Sequence, residues 1–298
     1  MISIIICSIS PDRLRAIQQN IWQTVGVEYE IISIDNNEKR WSIAKAYNYG
    51  AQQAKFPYLF FVHEDVKFHS QNWGEFIVQK LKEPDCGVIG FAGSKVRLNC
   101  YTGWGSTEKY DVTYLYQGLP NGLTAFSVSN SYLQHPFENV VVLDGLGIFV
   151  RKEVWSSFPF DEQLLTGFHC YDLDFSLQIV ASGRYKNYVC CSNQVLIEHF
   201  SLGSFNESWY VDTIRLHQKK WKKLLPIKVD GCELSDKEQK KIEERLTNIF
   251  LRNILKTKCA ERKIVLSEFL DYSFSWKHLG HCITAIFKFI SMSLKPHK

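Results

Sequence analysis

The strongest constraint on this chain is a series of short apolar runs separated by segments of helical spacing. Ile2–Cys7 is continuous and β-branched; YEIISI (29–34), YLFFV (58–62) and CGVIGFA (86–92) repeat the pattern. Each run has the length and character of a strand buried on both faces. Between them, Ser10-Pro11-Asp12 opens a helix, with Ser10 placed as a cap and Pro11 suited to the first turn. Residues 42–54, 72–81 and, further on, 171–182 carry apolar side chains at helical intervals. This alternation predicts an α/β fold with a parallel sheet flanked by helices. Ligands in such sheets gather at the carboxyl ends of the strands. Polar clusters stand at those ends: Ser8, then Asp35-Asn36-Asn37, then His63-Glu64-Asp65. Neither G-x-G-x-x-G nor G-x-x-x-x-G-K-[ST] follows the first strand, which excludes the dinucleotide fingerprint and the P-loop.

Charge divides the chain. Residues 1–218 hold 17 Lys and Arg against 22 Asp and Glu, whereas residues 219–298 hold 18 against 9. The break suggests a catalytic body, 1–218, with a basic helical extension, 219–298, although basic helices also simply solvate a surface. In the extension, Leu279, Ile283, Ile286, Phe287 and Ile290 recur at helical spacing beside Lys277, Lys288 and Lys295. That pattern suits a helix docked on the body, a partner or homodimer interface, or a helix lying peripherally on a membrane. The nine cysteines form no C-x-x-C pair and show no zinc spacing, so reduced thiols and a cytoplasmic setting are expected. The apolar N-terminus lacks a basic start and is short for a signal peptide. No nucleic-acid partner is expected.

The third strand ends in three ionisable residues. Asp65 beside Glu64 is costly without a partner, because like charges repel and burial adds to the cost. A divalent cation resolves this, since Mg²⁺ and Mn²⁺ take oxygen ligands and bridge phosphates. A solvated strand end resolves it equally well. Residues 97–139, rich in Gly, Tyr, Asn and Ser, form a long segment without clear periodicity. Its Tyr101, Trp104, Tyr110, Tyr114 and Tyr116 suit either an acceptor site or lid, or packing beneath their own loop.

Taken in order, these segments resemble the GT-A-fold glycosyltransferases of family 2 over roughly residues 1–210. They are most similar to a subgroup related to a glycosyltransferase of streptomycin biosynthesis, in which His-x-Asp-Val replaces Asp-x-Asp. The segments are ISIIICS, IISIDNN, SIAKAYNYGAQQAKFPYLFFVHED, VVLDGLGIFVRKEVW, PFDEQLLTGFHCYDLDFSLQIVASG and IEHFSLGS. The resemblance implies a GT-A, Rossmann-like, mostly parallel mixed sheet and transfer from a nucleotide diphosphate sugar, with UDP expected, to a glycan or other hydroxyl acceptor. It implies that Asp65 and His199 hold Mn²⁺ or Mg²⁺. Ser8, Asp35, Lys45, Asn48, His63, Glu64, Asp144 and Gly145 would line the donor. Asp172 inherits the role of general base, with Asp174 as its substitute, and Tyr171 stands where the family has Glu. An inverting single displacement follows. Two other readings stay open: a nucleotidyltransferase, disfavoured by the absence of Gly in CSISPDRLR, and a non-catalytic nucleotide-sugar binder.

Overall fold

A computed structural model of the chain describes residues 1–293 apart from 106, 130–134, 202, 204 and 272–275. The first third alternates as expected: β1 (Ile2–Ser8), α1 (Pro11–Thr24), β2 (Tyr29–Asp35), the short α2 (Asn36–Lys39), α3 (Ile43–Gln53), β3 (Tyr58–Val62), β4 (Val66–Phe68), α4 (Trp73–Leu81), β5 (Cys86–Gly90), β6 (Ala92–Ser94) and β7 (Val96–Arg97). The middle is strand-rich: β8 (Asp111–Gly118), β9 (Thr124–Val128), β10 (Phe137–Val140), β11 (Val142–Leu143) and β12 (Gly147–Arg151). Next come α5 (Lys152–Ser157), α6 (Tyr171–Ala181), β13 (Lys186–Cys190) and β14 (Ile197–His199). The remainder is α7 (Glu207–Leu216), β15 (Ile227–Lys228), α8 (Asp236–Ile254), α9 (Arg262–Asp271) and α10 (Trp276–Ser293).

Local chemistry sets the helix starts. The Ser10 hydroxyl accepts from Arg13 N and Pro11 occupies the first turn of α1. Ser42 caps α3 through Lys45 N in the same way.

The main sheet has the order β10-β13-β5-β12-β3-β1-β2. β1 runs parallel to both β2 and β3, but β12 runs antiparallel between β3 and β5. The sheet is therefore mixed. The reason is the turn at 144–146, which delivers the chain to the carboxyl end of β3, where Gly147 pairs with Val62. A strand that starts there runs backwards. YLFFV buries both faces as expected. Phe60 stacks on Phe149 with ring centroids 3.8 Å apart and packs near Trp73 and Phe68, while Phe61 meets Tyr47, Phe160 and Phe175 on the other side. Each such ring contributes on the order of 2–3 kcal/mol of burial free energy.

A second sheet, β11-β6-β8-β14-β4 with β9 on β8, comes largely from the segment that showed no period. In β8 the buried residues are Val112, Leu115 and Gly118, a spacing of three that hides the two-residue period of a strand. The 86–92 run breaks at Phe91, and its end joins this second sheet as β6. β14 is preceded by a tight turn. Ser192 accepts from Gln194 N and winds 193–195 into a 3₁₀ turn, so the strand starts at Ile197.

Tyr101 and Tyr110 are buried against the extension rather than presented to a ligand. Tyr101 lies on Phe250, and Tyr110 donates to Glu233 O. Tyr114 and Tyr116 pack on Phe126 within the β8–β9 hairpin. The extension also adds β15 beside β7. In α10, Phe289 packs against the α8–α9 cluster, and Ile283, Ile286, Phe287 and Ile290 are exposed. Lys295 and the side chains of Lys277 and Leu279 lie outside the described residues. Among the described residues, no helix is long and apolar enough to cross a membrane.

Candidate active site

His63-Glu64-Asp65 is the crossing between the two sheets: β3 ends at Val62 in one and β4 begins at Val66 in the other. Glu64 and Asp65 form a turn between the two strands. Glu64 turns towards β1, where its Oε2 accepts from the Ser8 hydroxyl (2.5 Å), Ile9 N (3.2 Å) and Ser10 N (3.1 Å). His63 and Asp65 turn the other way, towards His199.

Strand pairing brings Asp65 to a residue far along the chain. β14 lies antiparallel to β4 with His199 opposite Val66, and Phe200 N donates to Asp65 O at 3.1 Å. His199 is buried, with Nδ1 3.4 Å from Gln117 Oε1, while the Gln117 amide nitrogen donates to Ser201 O. An amide oxygen only accepts, so Nδ1 carries the imidazole proton and Nε2 presents a lone pair. That Nε2 has no hydrogen-bond partner and lies 3.7 Å from Asp65 Oδ1. A buried acceptor lacking a donor and facing a carboxylate has the donor chemistry that a divalent cation satisfies. One ring nitrogen of His63 completes the group: ligand atoms of His63, Asp65 and His199 all lie within 4.8 Å of one another. Burial holds His63 below the ordinary imidazole value, which favours the neutral ring a cation requires.

The turn at 144–146 forms the facing wall. Asp144 Oδ1 accepts from Leu146 N at 2.9 Å, and His63 N donates to Leu146 O at 3.0 Å. Tyr171, at the start of α6, reaches over the turn: its hydroxyl lies 2.9 Å from Gly145 O and 2.7 Å from His63 Nε2. Asp172 follows it, half-buried, with Oδ1 accepting from Leu173 N at 2.9 Å. Burial, and then the Asp144 carboxylate, push Asp172 up to about 7. Phe168 is 55% exposed beside this wall, its ring centroid 5.8 Å from that of His63. A cavity of about 610 Å³ opens next to Asp65, lined by Arg13, Asn20, Lys67, Phe200 and Ser201 among others.

Two sequence expectations, for Asn48 and Asp174, are corrected by these contacts. Asn48 does not face the cleft: its Nδ2 donates to Phe160 O, and its Oδ1 accepts from Trp155 Nε1 and Phe160 N, so the amide holds the 155–160 segment. Glu64 and Ser8, expected to line the donor, hydrogen-bond one another in the loop before α1, and Glu64 also lines the cavity beside Asp65. Asp174 is unsuited as a substitute base. It is fully buried, accepting from Lys220 Nζ (2.8 Å), Trp221 Nε1 (2.9 Å) and Gln178 Nε2 (2.9 Å). Asp35, opposite Ser8 in the sheet, is exposed and caps α2 through Asn37 N; Lys45 is exposed with its ammonium 5.0 Å from the Trp41 ring centroid. Sequence reasoning missed Gln117, Arg13 and Lys67. Gln117 sits in the segment without periodicity and had no signal. Arg13 and Lys67 flank the polar strand ends, so proximity alone was available to find them.

No curated protein sequence matches this chain. Its fold is similar to that of GalNAc-T7, solved with UDP, GalNAc and Mn²⁺, at 13% identity and a TM-score of 0.54, over 96% of this chain and 57% of that one. It also aligns with TarS 1–349 from S. aureus (12% identity, TM-score 0.47, 98% of this chain and 80% of that one). A third alignment is with the mannosyltransferase PcManGT from Pyrobaculum calidifontis, in complex with GDP-Man and Mn²⁺ (10% identity, TM-score 0.48, 99% and 86%). At these identities the likeness is one of fold, the mixed α/β arrangement of GT-A glycosyltransferases. The family model described as "Glycosyltransferase like family" matches residues 3–219, from β1 through the site and into the helix that carries Lys220, and on that match this chain belongs to the glycosyltransferase-like family.

Proposed function

We propose that this enzyme transfers a sugar from a nucleoside diphosphate sugar, a UDP-sugar, to a hydroxyl acceptor in surface-glycan or glycosylated-metabolite synthesis, with inversion at the anomeric carbon. In this reading residues 1–218 carry the transfer and 219–298 buttress the β7–β8 side, within the subgroup that has His-x-Asp-Val. The observation that carries the proposal is the unpartnered Nε2 of buried His199, 3.7 Å from Asp65 Oδ1 at the carboxyl end of β3. Asp65 and His199 would hold the cation, Mn²⁺ or Mg²⁺. When bound, it supplies positive charge to a departing diphosphate. The known structures that hold UDP or GDP-Man with Mn²⁺ on the same architecture agree with this reading.

The protein's own groups do the rest. Arg13 and Lys67 put fixed positive charge on the cavity beside Asp65, where a diphosphate would lie. The cavity, at about 610 Å³, is within the usual range for a small-molecule site. Asp35 stands exposed at the end of β2 for a ribose hydroxyl. Phe168 offers an open ring face to the apolar side of a sugar. Asp172 takes the acceptor proton: at about 7, its carboxylate is basic enough to accept it near neutral pH, where about half of it is ionised.

Incubation with a panel of nucleotide sugars, Mn²⁺ and candidate acceptors tests this. Nucleoside diphosphate should appear with the correct donor, and Asp65→Asn should abolish it. Release of pyrophosphate, or of a monophosphate, would sink the proposal.

A further inference from the structure

His63 is not free to choose which nitrogen carries its proton. The buried Tyr171 hydroxyl lies between the Gly145 carbonyl, at 2.9 Å, and His63 Nε2, at 2.7 Å. A carbonyl oxygen only accepts, so the single hydroxyl proton goes to Gly145 O. The hydroxyl oxygen must then accept from His63 Nε2–H, which leaves Nδ1 as the nitrogen with the free lone pair. At His199 the assignment is the mirror image: Gln117 Oε1 fixes the proton on Nδ1 and leaves Nε2 bare. Each imidazole therefore has one nitrogen held by a neighbour, and both rings belong to a cluster that also contains the Asp65 carboxylate.

Gly145 is part of this lock. A Cβ at position 145 would stand 2.1 Å from the Tyr171 hydroxyl oxygen and 2.6 Å from its Cζ. Only glycine lets the ring lie over the turn and reach His63.

We infer that His63 is the third ligand of the cation, and that Tyr171 and Gly145 are positioning residues that set its tautomer. The site then presents two imidazole nitrogens and one carboxylate oxygen, and selects Mn²⁺, or another borderline transition metal, against Mg²⁺. The reason is ligand chemistry: Mg²⁺ is a hard cation that demands oxygen, whereas imidazole suits later divalent ions. The inference rests on the reading that this cluster binds a cation, and not on which donor the enzyme uses.

The test uses the full chain without nucleotide. Mn²⁺ binding is followed by the paramagnetic resonance signal of the free ion, with Mg²⁺ as competitor. Mn²⁺ should stay bound under a hundredfold excess of Mg²⁺. Tyr171→Phe and Gly145→Ala should each weaken Mn²⁺ binding by about 10- to 100-fold, the usual effect of removing an outer partner of a ligating histidine. His63→Asp should let Mg²⁺ compete. ¹⁵N NMR of the metal-free wild type should show His63 protonated at Nε2, and it reads the tautomer even if a variant folds poorly. Displacement of Mn²⁺ by equimolar Mg²⁺, wild-type Mn²⁺ affinity in Tyr171→Phe, no Mn²⁺ binding by the wild type, or an Nδ1–H tautomer at His63 would each overturn the inference. Metal selectivity as expected, with no diphosphate release from any donor, would leave this inference standing and remove the transferase reading instead.

Discussion

Asp172 and Asp174 stand two residues apart on one helix and meet opposite surroundings. Asp174 faces the interior side of α6, where Lys220, Trp221 and Gln178 donate to it. Asp172 faces the 144–146 turn, where the Asp144 carboxylate adds to the effect of burial. One acid is neutralised by a partner that ties the 217–221 segment to the body. The other is left half-open, makes no ion pair among the described residues, and is held up to about 7. Burial with a partner makes a carboxylate structural; partial burial without one makes it reactive. Two side chains of the same type are thus separated by which face of α6 they occupy.

The largest test of that contrast is at Asp172. Asp172→Asn should lower kcat by roughly a thousandfold, the scale of a lost general base, with donor Kd nearly unchanged; turnover and calorimetric donor titration measure the two separately. A matching collapse of donor binding would show that Asp172 serves the donor and not the proton. Asp174→Asn should do the reverse. It should cost about 2–3 kcal/mol of stability, because Lys220 loses one of its two acidic partners, while kcat moves only a few-fold. Urea unfolding and turnover on the same preparation would check both. Smaller again is Gln117→Ala, which should weaken Mn²⁺ binding about tenfold by freeing the His199 tautomer, read by metal titration.

The pH dependence sharpens the comparison with the least perturbation. Wild-type kcat should rise with pH, pass half of its plateau near 7 and level off roughly one unit above that, since the base must be ionised. Stability runs the other way. The folded value of Asp172 lies above its unfolded one, so between the two the native state holds more protons. This contribution to stability therefore falls as pH rises through that window. Asp172→Asn should accordingly be more favourable to Tm, relative to wild type, at pH 8 than at pH 5. An identical difference at both pH values would place Asp172 in a more exposed setting than described.

Much of this was visible in the order of residues. Strand lengths, the Ser10 and Ser42 caps and the polar strand ends depend on neighbours within a few positions, and they appear where the pattern put them. Asp65 and Asp172 stand out in the order of the motifs; in the fold Asp65 meets His199, and Asp172 lies within reach of the Asp144 charge. Asn48 was misread because an amide on a helix can face a ligand or the core. Phe160 and Trp155, more than a hundred positions away, decide which. Asp174 was misread for the same reason, since Lys220 lies on another element. The 97–139 segment hid its strands because β8 is half-covered on both faces, so its side chains do not alternate.

By itself, then, the sequence determined the alternating α/β framework, the both-face burial of YLFFV, and the presence of ionisable residues at the carboxyl end of that strand, because these follow from local spacing and hydrophobicity. The tertiary structure alone decided which partners each ionisable residue meets. The crossing between sheets sends Glu64 to the β1 loop and His63 and Asp65 to the cleft; the β4–β14 pairing brings in His199; and the close approach allowed by Gly145 lets Tyr171 reach His63. Those outcomes depend on which distant groups donate or accept at about 3 Å, and no local pattern encodes that.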